Sequence, residues 1–249
     1  MRHHGVAPRL WGLNLAVGAL GLLISVALHA RPRRDHSPRH LIVLALLGLG
    51  LLGLTFVDAG MSGVHRWVGL GPITLYAGAV ALPMLIIAMN GRWAAPLAVA
   101  TALVLVAQPD AAQASALAMA VIVLSLHGPA PKPMAWLAVL VVVALAAWSW
   151  FRPDPLAPVP HVEGILGLAR QAGAPWLATA IGSLALLPLP FFAGRDDSIT
   201  PTTRALGAYL VVCIVVPLVR PFPVPLLGFG VSPIIGYFFA LSVIRRRRD

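Results

Sequence analysis

Nine apolar runs, parted by short polar or proline-rich breaks, govern what this chain can become. They occupy residues 10–29, 41–57, 72–89, 93–107, 112–127, 134–151, 164–193, 204–219 and 231–244. A helix needs about 20 mostly apolar residues to cross a bilayer. The chain is 59% hydrophobic and 10% charged over 249 residues, where a soluble domain carries about 25% charged residues. The expected fold is therefore all-α: a polytopic transmembrane helical bundle of about nine spans, with residues 1–249 forming a single transmembrane domain. No stretch is polar enough for a separate soluble domain. The seventh run is long and interrupted by Gly173 and Pro175, which predicts a tilt, a kink or an interfacial start. The first run lacks a small-residue cleavage site and reads as a span rather than a signal peptide.

Charge sets the expected orientation, because cytoplasmic loops are enriched in Lys and Arg. If the loop 31–40 is cytoplasmic, nine spans place Arg31, Arg33, Arg34, Arg39, Arg92, Lys132, Arg195, Arg204 and Arg245 to Arg248 on that side, twelve of the eighteen basic residues. The N-terminus is then outside and the C-terminus cytoplasmic. The net charge of +10 reads as orientation signal and anionic-lipid contact, not as a nucleic-acid surface. The single Cys213 excludes an internal disulfide and a cysteine-based metal site.

Polar residues near lipid are expensive and are kept for a reason. Four polar segments sit at the edges of apolar runs: GVHRWVGLGP at 63–72, QPD at 108–110, PHVE at 160–163 and PVPLLGFGVSP at 223–233. The expected topology puts all four on the outer face. Arg66 and Trp67 are either an interfacial anchor or a holder of an anionic head group. Gly69, Gly71 and Pro72 would turn the backbone into the next helix. Asp110 suits a helix N-cap, and in an outer cavity shared with Arg66 it would join a polar site. His161 and Glu163 are too few for a metal site. They are either polar lining at a helix start or an acid/base pair. Gly228, Gly230 and Ser232 follow Pro223 and Pro225, so this run cannot be a regular helix. It is either a plain loop or a broken helix lining a cavity.

In order and spacing these segments resemble the SEDS family (shape, elongation, division and sporulation), which includes RodA, FtsW and SpoVE. Its RWxxLGP pattern is met by Arg66, Trp67, Leu70, Gly71 and Pro72. Its QPDLGTA is met by Gln108, Pro109, Asp110 and Ala114. Its HTDFIFA is echoed by His161, Glu163 and Ile165, with Glu in place of Asp. Its LPFxSYGGSS is met by Pro225, Phe229, Gly230 and Ser232. Three departures stand out. The family's first helix has no counterpart, its QPSExxK stretch after GLGP is replaced by YAGAVAL (76–82), and its largest outer loop shrinks to FRPDPLAPVP, whose only acid is Asp154.

The resemblance implies a multi-pass protein of a bacterial inner membrane working in cell-wall synthesis, shape or division. An active member would polymerise glycan from lipid II beside a class B penicillin-binding protein. Asp154, Asp110 or Glu163 would then take the acceptor proton, and a divalent cation could neutralise the leaving group. Arg66, Trp67, His161, Gly228, Gly230 and Ser232 would bind the substrate, with Arg66 on its pyrophosphate. The alternative is a non-catalytic relative that binds an undecaprenyl-linked lipid or a partner helix.

Overall fold

Helix follows the apolar runs throughout, because a chain without polar side chains can satisfy its backbone near lipid only from within each segment. The computed structural model describes residues 8–29, 37–57, 59–71, 73–128, 132–193 and 200–244. Pro72, Arg2 and the basic segments holding Arg31, Arg33, Arg34, Arg195 and Arg245 to Arg248 lie outside the described residues. So do positions 30–36, on which the orientation largely rests.

The elements are α1 (Pro8–His29), α2 (Pro38–Leu54), β1 (Trp67–Leu70), β2 (Ile73–Tyr76), α3 (Ala77–Ala88), α4 (Ala94–Ala107), α5 (Ala111–His127), α6 (Lys132–Ser149), α7 (Ile165–Ala172), α8 (Ala174–Leu186), α9 (Leu189–Phe192), α10 (Pro201–Val215) and α11 (Ser232–Leu241). Short 3-10 turns at Gly91–Trp93 and Val216–Leu218 precede α4 and extend α10. Among the described residues, apolar helix falls in all nine expected runs. Among the described residues, three stretches are both long and apolar enough to cross a membrane, Trp11–Leu28, Ala174–Phe192 and Pro201–Leu218. The chain is a helical membrane bundle with several helices shorter than a full crossing.

Two runs differ from expectation. Residues 72–89 do not form one helix entered at GLGP. Residues 67–76 instead make an antiparallel hairpin, with Trp67 opposite Tyr76 and Leu70 opposite Ile73. Gly71 opens its two-residue connection at φ 60, a left-handed conformation that suits glycine in tight hairpins. The 164–193 run breaks into α7, α8 and α9. Gly173, at φ 121, is both the C-cap of α7 and the N-cap of α8, and Pro175 fits the first turn of the new helix.

The core lies between α3, α5 and α10, with α2, α4, α6 and α11 around it. α3 is buried on every side except at Met84, the pattern of a helix enclosed by protein rather than lipid. At Gly236 of α11, an added Cβ would run into the Ala79 carbonyl and approach Pro83 at 3.5 Å. That glycine is what lets α11 lie against α3. The C-terminal ends of α2, α4, α6 and α10 meet the N-terminal ends of α3, α5 and α11 at one end of the bundle, and the polar segments gather there.

Candidate functional site at the hairpin end

Arg66 precedes β1 and is buried at 4% exposure. Its Nη2 donates to Asp154 Oδ2 at 2.7 Å and also to the Pro109 carbonyl. Its guanidinium lies over the Phe222 ring, 5.2 Å from the centroid. This ion pair is unequal: the Arg66 side chain is 5% exposed and that of Asp154 27%. The other Asp154 oxygen accepts from Leu156 N at 3.4 Å.

Asp110 is fully buried. It N-caps α5 by accepting from Gln113 N at 3.2 Å, and the Tyr76 hydroxyl donates to it at 2.7 Å. Burial pushes the Asp110 carboxyl above its ordinary range, against the opposing pull of Arg66 and of the Tyr76 hydroxyl. Tyr76 also donates its backbone N–H to Ser232 Oγ at 2.9 Å. It thereby joins the QPD turn to the first residue of α11. From Asp110 the polar chain continues inward, where the Tyr209 hydroxyl donates to Gln113 Oε1 at 2.9 Å. Gln108 fastens α4 to the end of α2 through the Leu52 carbonyl at 3.0 Å and Thr55 Oγ1 at 2.8 Å.

Arg66, Asp110, Asp154 and Ser232 thus belong to one connected cluster. Trp67 borders it, its ring 6.2 Å from that of Tyr76 across the hairpin. Glu163 does not join: its Oε2 accepts from Val159 N at 2.8 Å within its own turn. His161 and the glycines build a second, backbone-mediated layer. Phe229 N donates to the His161 carbonyl at 2.8 Å. An added Cβ at Gly228 would meet Val162 O at 2.9 Å and Val224 O at 3.1 Å. Gly228 is therefore needed for close approach of two strands of irregular backbone. Its carbonyl accepts from Asn14 Nδ2 of α1 at 3.2 Å. Gly230 adopts φ 144, which glycine alone reaches without strain. Segment 219–231 is a non-helical break that packs on 160–163, as lipid-depth backbone must when it is irregular.

Sequence reasoning missed Tyr76, Gln113 and Tyr209. Each is a polar side chain inside or at the mouth of an apolar run, and that position was the available signal. Among the described residues no three His, Cys, Asp or Glu side chains gather as metal ligands. The cluster has two carboxylates and one guanidinium, only one carboxylate being open to solvent. Such a group can hold a polar ligand at Asp154 or lock the helix ends together.

No protein-family model matches the sequence, and no curated protein matches it. Solved structures do. A chain of a peptidoglycan synthase complex that coordinates polymerization and crosslinking superposes with a TM-score of 0.63 at 20% identity, over 95% of this chain and 88% of that one. The rod shape determining protein RodA of Thermus thermophilus superposes at 0.62 and 20% identity, over 96% of this chain and 87% of that one. A point mutant of it gives the same score over 96% and 88%. With one residue in five shared and nearly the whole chain superposed, this protein has the fold of RodA.

Proposed function

We propose that this chain is a short, divergent SEDS-like protein of the bacterial inner membrane that works in peptidoglycan synthesis. It binds lipid II or another undecaprenyl-linked lipid at the hairpin end. The observation that carries this reading is the cluster itself: on a RodA fold, residues of the RWxxLGP and QPD segments and the start of the last helix converge through Arg66, Asp110, Tyr76 and Ser232. In a polymerase, Asp154 would take the proton of the acceptor hydroxyl, since it alone of the cluster's carboxylates is open to solvent. Arg66 would reach a pyrophosphate only after releasing Asp154. The charge split supports an outer-face position for this end, with the C-terminus cytoplasmic.

A partner is supported by α8, where only Leu184 is buried. Ala174, Ala178 and Gly182 recur at every fourth position, and nothing lies within 4 Å of a Cβ added at Gly182. Small residues at that spacing admit a neighbouring helix closely. The likeness to a synthase complex makes a class B penicillin-binding protein the partner of choice.

One feature favours the non-catalytic form of this function. Both Asp154 oxygens and Arg66 Nη2 are already engaged within the chain, so the cluster works first as a clamp. Glycan polymerisation from purified lipid II, with and without a co-purified class B penicillin-binding protein, decides between them. Product that disappears in Asp154→Asn establishes an enzyme. Lipid II binding without product establishes a scaffold, and neither binding nor product removes the proposal.

A further inference from the structure

α1 and α2 follow one another in the chain, yet among the described residues α1 packs far less on α2 than on α11. α1 leans chiefly on α11. The contact forms at Gly21, where an added Cβ would strike the Phe238 ring. The space left between α1 and α2 is a groove of about 770 Å³, floored by Ile87 and Phe238 and walled by Ile24, Leu28 and Leu44. Its polar residues are Ser37, His40 and Ser242. These stand where α2 begins and α11 ends, so the groove has an apolar body and one polar rim.

That rim lies at the far end of the bundle from Asp154. α2 runs from Ser37 at the rim to Leu52, whose carbonyl binds Gln108 near the Arg66 cluster. Its 17 residues span about 25 Å at 1.5 Å per residue. A lipid whose head group sits at this rim therefore cannot present it to Asp154, which separates the groove from the proposed substrate site. An apolar cleft does not hold water, and in a bilayer the available filler is an acyl chain. The volume falls in the usual range of about 300–1,000 Å³ for ligand sites.

Charge selects the head group. Arg39 lies between Ser37 and His40 in the exposed first turn of α2. Among the described residues no acidic side chain lines the groove. We infer that this groove is a binding site for one anionic glycerophospholipid, its acyl chains between α1 and α2 and its phosphate at the Ser37–His40 turn.

Native mass spectrometry of the full chain in mild detergent tests this, with phosphatidylglycerol and phosphatidylcholine of identical acyl chains as probes. Phosphatidylglycerol should be retained in preference, at one molecule per chain. Arg39→Ala should lower that preference about fivefold, the worth of one basic residue near a charged lipid surface, and Arg39→Lys should restore it. Ile24→Trp should remove the bound lipid: Ile24 is 49% exposed, so a larger ring fills the groove without disturbing the core. Asp154→Asn should leave retention unchanged. Equal retention of the two lipids, retention untouched by Ile24→Trp, or displacement of phosphatidylglycerol by undecaprenyl phosphate would each overturn the assignment.

Discussion

Replacing Arg66 by Ala should destabilise the bundle far more than replacing its ion-pair partner. The two sides of the pair are unequal. Asp154, 27% exposed, can rehydrate when its partner is lost, and exposed pairs are worth about 0–1 kcal/mol. In Asp154→Asn the amide oxygen can still accept from Arg66, which keeps the Pro109 carbonyl and the nearby Asp110, so this change should cost about 1 kcal/mol. Removing Arg66 leaves the fully buried Asp110 without its nearby cation and Pro109 O without its donor. An unsatisfied buried carbonyl costs about 1–3 kcal/mol, and breaking a buried ionic group by removing one member costs about 3–5 kcal/mol. The terms overlap, so about 3–5 kcal/mol is expected in all. At roughly 2–4 °C per kcal/mol for a chain of this size, Tm should fall by about 6–20 °C. Cys213 supplies the assay: it is the only cysteine and is buried, so a thiol-reactive fluorophore reports unfolding in detergent. Adding Asp110→Asn to Arg66→Ala should recover part of the loss, because it removes the stranded carboxylate. Equal losses for Arg66→Ala and Asp154→Asn, or no recovery in the double variant, would refute this account of the cluster.

The same assay should separate Gly228→Ala from Gly182→Ala. The first forces a Cβ into Val162 O and Val224 O and should cost about 1–3 kcal/mol as overpacking does, while the second has open space and should cost nothing measurable. Tyr76→Phe removes the hydroxyl donated to Asp110 and should cost about 1.5–3 kcal/mol, the range for hydrogen bonds to charged groups; a neutral result would show that water replaces the phenol. Asp154→Asn is expected to leave growth and cell shape unchanged at normal protein level, and loss of glycan synthesis in the lipid II assay would reverse that expectation. On a background lacking Cys213, a cysteine at position 5 should be labelled from outside and one at position 36 only after permeabilisation; the opposite pattern would place the Arg66 cluster on the cytoplasmic face.

The apolar runs made the helical bundle legible, because run length and hydrophobicity decide it without reference to packing. Gly173 and Pro175 also marked a real break, since backbone conformation there is local. The hairpin at 67–76 was hidden. Its residues are mostly apolar and run without a polar break into the helix they precede, and four-residue strands carry too few positions for an alternation to show. What selects β2 is tertiary: Tyr76 pairs with Trp67 across the hairpin while its N–H meets Ser232, 156 residues away. Asp110 was readable as a cap because Asp before an apolar run is a local pattern. That the same carboxylate accepts from Tyr76 was not, since no spacing in the chain relates the two. Glu163 shows the converse. Its proximity to His161 suggested an acid/base pair, yet its carboxylate closes the turn at Val159, a nearer donor than any in the cluster.

The distribution of engagement also limits the chemistry open to each carboxylate. Asp110 has the proton affinity that burial confers but no route to solvent. Asp154 has the route, yet Arg66 holds one oxygen and Leu156 N the other. For Asp154 to accept a proton from a sugar hydroxyl, one of these must let go, and the weaker 3.4 Å contact to Leu156 lies in the short loop between α6 and α7. Opening that contact leaves Arg66, Pro109 and Phe222 in place, so the clamp and a general base are not exclusive in principle. They differ in what the loop must do. A clamp needs 152–158 fixed on Arg66, and a base needs Leu156 to withdraw when substrate arrives. Holding the loop rigid should therefore abolish polymerisation if Asp154 is a base and leave a scaffold's lipid binding intact.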